Sequence, residues 1–196
     1  MDLADLAYRA LIPPIVLAGL LAGCAHLPTL IVPRDPLSAE EHTRLGAAYE
    51  AQGLRKEAVE QYKAALKKDS AYVPGWMASG NASFDAGDLK SAKRSFRRAL
   101  KLSPQHAGAG NNLAMVYLAQ NTNLDKAEQL AQEALAQGGP LKPYILDTLA
   151  HIYLRQKRYC EARAALEQAQ AVAPPDNDAV GKRLLETRAL IDAAQR

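Results

Sequence analysis

Covalent chemistry in this sequence would have to come from a thiol and an imidazole, because Cys160 and His151 form the one candidate nucleophile and base pair. A thiolate needs a base within hydrogen-bond reach, and that base usually needs a third group to orient it. The order and context of His151 and Cys160 match no such arrangement, and a free cysteine near a helix start is more often inert packing. Metal chemistry is no better served. His26, His42, His106 and His151 are scattered with no i,i+4 pair, and the only two cysteines, Cys24 and Cys160, make neither a CxxC-type site nor a disulfide framework. No catalytic residue, metal or cofactor is expected.

Binding chemistry is better represented. Lys90, Arg94, Arg97 and Lys101 follow one another at i, i+4, i+7 and i+11, with Lys93 and Arg98 beside them. On a helix these make a single cationic stripe. It suits anionic lipid headgroups, lipopolysaccharide phosphates or an acidic partner, and equally an ordinary solvated face. Nucleic acid is not expected, since the net charge is only +3, the pI is near 8.8 and aromatics are not interleaved with the cations.

A second candidate lies near the start. No Asp, Glu, Lys or Arg occurs between Arg9 and Arg34, and the run Ile15-Val16-Leu17-Ala18-Gly19-Leu20 leads into Leu21-Ala22-Gly23-Cys24. A membrane-spanning helix needs about 20 apolar residues, and Pro13, Pro14, Pro28 and Pro33 interrupt that length. A cleaved signal peptide fits better, with a short apolar region ahead of small residues. Leu21-Ala22-Gly23-Cys24 resembles the bacterial lipobox. That resemblance implies a signal peptide over 1–23, and Cys24 as the site of diacylglyceryl attachment and the new N-terminus. It also implies a place in the cell envelope, and Ala25, where enteric inner-membrane lipoproteins tend to carry Asp, favours the periplasmic face of the outer membrane. One feature departs from the pattern: the leading residues contain Asp2 and Asp5 against Arg9, where a basic segment is usual. Residues 24–37 then form the lipidated cysteine and a tether, with Pro28, Pro33 and Pro36 keeping the backbone extended. The patch Leu30-Ile31-Val32 suits either that tether or docking onto the first hairpin.

Along the rest of the chain, the elements that must position any site are helices. Of the 196 residues 48 % are hydrophobic, largely Ala and Leu, and only 6 % are aromatic. Ala and Leu favour helix, and the self-similarity of the chain specifies how the helices repeat. Gly46, Gly80 and Ala114 are 34 apart and Ala150 follows 36 later. Ala58, Ala92, Ala127 and Ala162 are spaced by 34, 35 and 35, as are Ala65, Ala99, Ala134 and Ala169. Tyr62, Phe96 and Leu166 occupy a large position between these ladders, where the third repeat has Ala131. Small residues belong where two antiparallel helices approach, and large ones fill the space a turn away. Gly53 and Gly87 suit left-handed helix ends, Asp88 and Asn123 suit helix caps, and Ser38 with Glu41 makes a capping-box pattern.

These ladders, Trp76 four residues before Gly80, and Pro104 and Pro174 closing their repeats resemble the tetratricopeptide repeat. The resemblance implies an all-α solenoid of helical hairpins, with four repeats over 38–174. The third repeat departs from it by an extra residue near Asn121-Thr122-Asn123 and another near Gly138-Gly139-Pro140. Val180, Leu184, Thr187 and Ile191 then recur at helical spacing, so 175–196 is expected to hold a solvating end helix.

In this family the first helices of the hairpins line a concave groove for peptides. Projected onto this chain, the inward positions are Met77, Asn81, Phe84, Asn111, Asn112, Met115, Leu118, Tyr144, Asp147, His151 and Leu154. Amides among apolar side chains suit an extended peptide or partner helix, although some of these positions are also expected to serve as inter-repeat core. The Lys and Arg pattern that clamps a C-terminal carboxylate in tetratricopeptide cochaperones is missing from them. The expected function is a lipid-anchored scaffold that holds protein or peptide partners while an envelope complex (a pilus, secretion channel or wall-synthesis machine) is assembled. The alternative is a structural or regulatory subunit of a membrane enzyme complex, binding through its convex face.

Overall fold

The computed structural model describes residues 35–174 and 177–195. The signal-type segment 1–23, Cys24, His26 and the tether as far as Arg34 lie outside the described residues. The compact unit Pro36–Arg196 contains nine α-helices and no strand among its described residues. They are α1 (Ala39–Ala51), α2 (Arg55–Lys68), α3 (Val73–Asp85), α4 (Leu89–Leu102) and α5 (Ala107–Ala119). The remaining four are α6 (Leu124–Gln137), α7 (Lys142–Arg155), α8 (Tyr159–Val172) and α9 (Asp178–Ala194). Consecutive pairs from α1–α2 to α7–α8 form four hairpins, and α9 closes the stack.

Local chemistry sets the helix ends. The Ser38 hydroxyl accepts the Glu41 N–H at 3.2 Å, while the Glu41 carboxylate accepts the Ser38 N–H at 2.8 Å, so both halves of the capping box are made. Asp88 caps α4 by accepting from the Ser91 N–H at 3.0 Å. Gly53 and Gly87 follow the first helices of the first two hairpins at φ 76°. Asn121 (φ 49°) and Lys157 (φ 61°) take the same left-handed place in the third and fourth hairpins. At each of the four turns the next N–H reaches back to a carbonyl in the last turn of the helix: Leu54 to Tyr49, Asp88 to Ser83, Thr122 to Tyr117 and Arg158 to Tyr153. Asn123 corrects an expectation. The extra residue in its turn puts it in the left-handed region at φ 50°, where its side chain caps nothing.

Each hairpin closes on a matched pair. A Cβ added at Gly46 would lie 2.4 Å from the Tyr62 ring, and one at Gly80 would lie 2.4 Å from the Phe96 ring. Both rings are almost wholly buried, so neither can swing aside, and Tyr62 is further held by donating to Glu50 at 2.6 Å. Where the small position carries a methyl, as at Ala114 and Ala150, the large position shrinks to Ala131 and Leu166. Every alanine of both ladders is buried to within 3 % of complete.

The main apolar core runs from Ala92 and Phe96 on α4 to Ile191 on α9. Ala58, Tyr62 and Ala65 of the first hairpin are buried outside that cluster. At the other end α9 takes the place a fifth first-helix would occupy, packing against both α7 and α8. It buries Val180, Leu184, Thr187 and Ile191. A polar lock joins it to α7: the fully buried Asp147 carboxylate accepts from Arg183 Nε and from the Thr187 hydroxyl, the latter at 2.6 Å. Thr187 in turn accepts from His151 Nε2 at 3.0 Å. Burial holds the His151 pKa below its ordinary value against the opposing pull of Asp147, which disfavours the protonated ring in this lock.

Two outcomes follow from this packing. Gly80→Ala should lower stability in urea unfolding by about 1–3 kcal/mol through overpacking, and adding Phe96→Leu should recover most of the loss, because the fourth hairpin already uses Ala150 with Leu166. Arg183→Met leaves a buried carboxylate short of its cation and should cost about 3 kcal/mol. Its amide exchange should quicken in α9 before the rest of the stack.

Candidate functional site

The first helices of successive hairpins, α1, α3, α5 and α7, touch one another, whereas the second helices do not. The stack therefore draws together along its first helices and opens along its second, which makes the first-helix side the inner surface. Met77, Asn81 and Phe84 lie on α3, Asn111, Asn112, Met115 and Leu118 on α5, and Tyr144, Asp147, His151 and Leu154 on α7.

The structure brings the α3 and α5 members together. Asn112 Nδ2 donates to Asn81 Oδ1 at 2.8 Å, and Asn111 Nδ2 reaches Asn112 Oδ1 at 3.4 Å and Met115 Sδ at 3.6 Å. Asn111 is 7 % exposed, and its Oδ1 is the one buried side-chain polar atom without a hydrogen-bond partner among the described residues. Asn81, Phe84, Asn112 and Met115 line a cleft of about 240 Å³ with Phe96 and Asp85. The two amides at this cleft, Asn81 and Asn112, each carry a donor and an acceptor, the pair of functions that a backbone with N–H and C=O groups in alternation requires. Sequence projection missed Asp85, whose exposed position one residue past Phe84 adds a carboxylate to the rim.

The α7 members do not join that cleft. Asp147 is fully buried beneath α9 and His151 is bonded to Thr187, so the expectation that Asp147 lines an open groove is corrected: the final helix covers it. Asn111 is likewise largely enclosed. Met77, Phe84, Leu118, Tyr144 and Leu154 are half-buried against the core and present only part of each side chain. An i,i+4 Asp147 and His151 pair facing Arg183 and Thr187 carries a faint sequence signal, since polar groups interrupt otherwise apolar periodicities.

The basic stripe of α4 divides. Arg97 donates to the Tyr117 hydroxyl at 3.2 Å and Lys93 lies 4.4 Å over the Tyr117 ring, so these two tie α4 to α5. Lys90, Arg94 and Lys101 are exposed, and none forms an ion pair with a described carboxylate. The histidines have local duties: His42 pairs with Gln61 at 2.8 Å, and His106 caps α5 by accepting from the Ala109 N–H at 3.0 Å. Cys160 is exposed at the start of α8, and the His151 ring is engaged by Thr187. No group of three or more His, Cys, Asp or Glu able to hold a metal occurs among the described residues.

Comparison with known proteins agrees with this architecture. Tetratricopeptide repeat family models match residues 77–143 and 144–176, together half of the chain. No curated protein matches the sequence significantly. Among solved structures, TTC0263, a thermophilic TPR protein of Thermus thermophilus, is 26 % identical with a TM-score of 0.62, covering 84 % of this chain and 83 % of its own. PilF of Pseudomonas aeruginosa is 21 % identical with a TM-score of 0.64, covering 82 % of this chain and 74 % of its own. MamA is 22 % identical with a TM-score of 0.61, covering 68 % and 77 %. Matched over its repeats and built from four stacked hairpins closed by a capping helix, the chain belongs to the tetratricopeptide repeat family of protein-interaction scaffolds.

Proposed function

We propose that this protein is a lipid-anchored adaptor of the bacterial cell envelope that holds an extended segment of a partner in the α3–α5 cleft during assembly of an envelope complex. The observation that carries the binding half of this reading is the Asn81, Asn112 and Asn111 cluster. Asparagine is a poor choice for the middle of a helix, yet three of them converge here, and a buried carbonyl without a partner costs roughly 1–3 kcal/mol. Neutral amides ask for no particular charge in the ligand, so capture is tolerant of sequence and only weakly dependent on salt.

The envelope half rests on the lipobox-like Leu21-Ala22-Gly23-Cys24 and the proline-rich stretch that follows. Two or three acyl chains on one cysteine anchor firmly, where a single chain binds only marginally.

Each half has its own test. An Asn81→Ala/Asn112→Ala double variant should lose the proteins that co-purify with the membrane-extracted parent while its circular dichroism stays unchanged; undiminished co-purification would sink the groove reading. Cys24→Ala should move the protein from the membrane to the soluble fraction or leave it uncleaved. Intact mass should then lack the diacylglyceryl increment present in the parent.

A further inference from the structure

A second recess lies on the opposite side of α3 from the asparagine cleft. Because α2 and α4 do not touch, they leave a channel of about 660 Å³ between them with α3 as its floor. The floor is the stripe Trp76, Ser79, Ser83 and Ala86, which faces away from Met77, Asn81 and Phe84. On one wall Val59 and Leu66 of α2 supply apolar surface, with Lys63 and Lys67 beside them on the same helix. On the other wall stands Arg94, drawn from the basic stripe of α4.

The charge of this channel is one-sided. Lys63, Lys67 and Arg94 are exposed at its edges, and Lys90 and Lys101 extend the cationic surface along α4. Asp88 is the one acid lining it; its carboxylate accepts from the Ser91 N–H and keeps its charge, one anion against the three cations Lys63, Lys67 and Arg94. Glu60 pairs with Lys63 at 2.8 Å, but that pair is solvent-exposed and weak. The floor and the α4 wall add the half-buried hydroxyls of Ser79, Ser83 and Ser91, with Ser95 buried behind Ser79 at 3.5 Å. Small residues there also let another backbone approach closely.

We propose that this α2–α4 channel docks an acidic amphipathic segment of a protein partner. Its apolar side would rest on Val59, Leu66 and Trp76, and its carboxylates would meet Lys63, Lys67 and Arg94. The two walls are 14-residue helices, about 21 Å long, so a helix of similar length spans the channel. A flat bilayer would meet the cationic edges and leave the half-buried Trp76, Ser79 and Ser83 floor unfilled. Ahead of Asp35 the chain's own leading segment holds only two acids, Asp2 and Asp5. This site is independent of the asparagine cleft, so either can fail without the other.

Trp76 is the sole tryptophan and lines the channel, so its fluorescence reports occupancy directly. The probe is an amphipathic helical peptide with glutamate on its polar face, leucine on its apolar face and about the length of α2. It is titrated beside its lysine-for-glutamate counterpart and beside phosphatidylglycerol vesicles. The glutamate peptide should shift Trp76 emission saturably, and Lys63→Glu/Lys67→Glu/Arg94→Glu should weaken it at least about tenfold, since three rim pairs become repulsive. The Asn81→Ala/Asn112→Ala variant should bind it as the parent does. These three side chains are exposed, so an unchanged melting curve should accompany the charge reversal. The proposal is overturned if the glutamate peptide leaves Trp76 unmoved, if the lysine peptide binds as well, or if the charge-reversed protein binds undiminished. It is equally overturned if only the vesicles change the emission, which would assign the surface to lipid.

Discussion

The close approach of the two helices within each hairpin is the contact from which the rest of the structure is built. Gly46 faces Tyr62 and Gly80 faces Phe96 at separations that leave no room for a single added carbon. Burying one such ring contributes on the order of 1.5–3 kcal/mol, and the missing Cβ is what lets the ring approach the opposing backbone so closely. The third and fourth hairpins solve the same problem with Ala114 and Ala150, and their large partners are correspondingly smaller. One side of the pair shrinks as the other grows.

A hairpin closed this way still has one apolar side exposed, and stacking is the remedy. From α4 onward the hairpins share a continuous core, which α9 ends by presenting Val180, Leu184 and Ile191 inward, while its outer surface mixes Lys182, Glu186 and Arg188 with the exposed Leu185 and Leu190. The Asp147, Arg183 and Thr187 lock adds direction to that contact, since apolar packing alone would tolerate α9 slipping by a turn. Both helices of the first hairpin pack against α3, and a channel lies between its second helix and α4. Tight hairpins joined by looser seams are what give a solenoid surfaces able to take up other chains.

Function is distributed along α3 by helical geometry. Its inner side carries Asn81 and Phe84 towards α5, while its outer side carries Trp76, Ser79 and Ser83 into the channel. One helix thus serves two recesses of opposite character, one neutral and amide-lined with an acid at its rim, the other cationic and hydroxyl-lined.

Residues at a fixed period were enough to read the helical hairpins, the ladders, Gly53 and Gly87 and the end helix, because each depends on a few local contacts that recur identically along the chain. The capping box of Ser38 and Glu41 was legible for the same reason. Asn123 was misread because one inserted residue rotated it out of capping reach, and the left-handed Asn121 and Lys157 escaped notice because neither is a glycine. Of the inward-facing set, only Asn81, Phe84, Asn112 and Met115 were brought into one cleft. Asp147 was instead covered by a helix some forty positions later in the chain, a contact that no local period encodes. The division of the basic stripe between Tyr117 and the α2–α4 channel was likewise decided in three dimensions. Periodicity fixes which side of a helix a residue occupies, while the distance and identity of what faces it depend on how separate hairpins settle against one another.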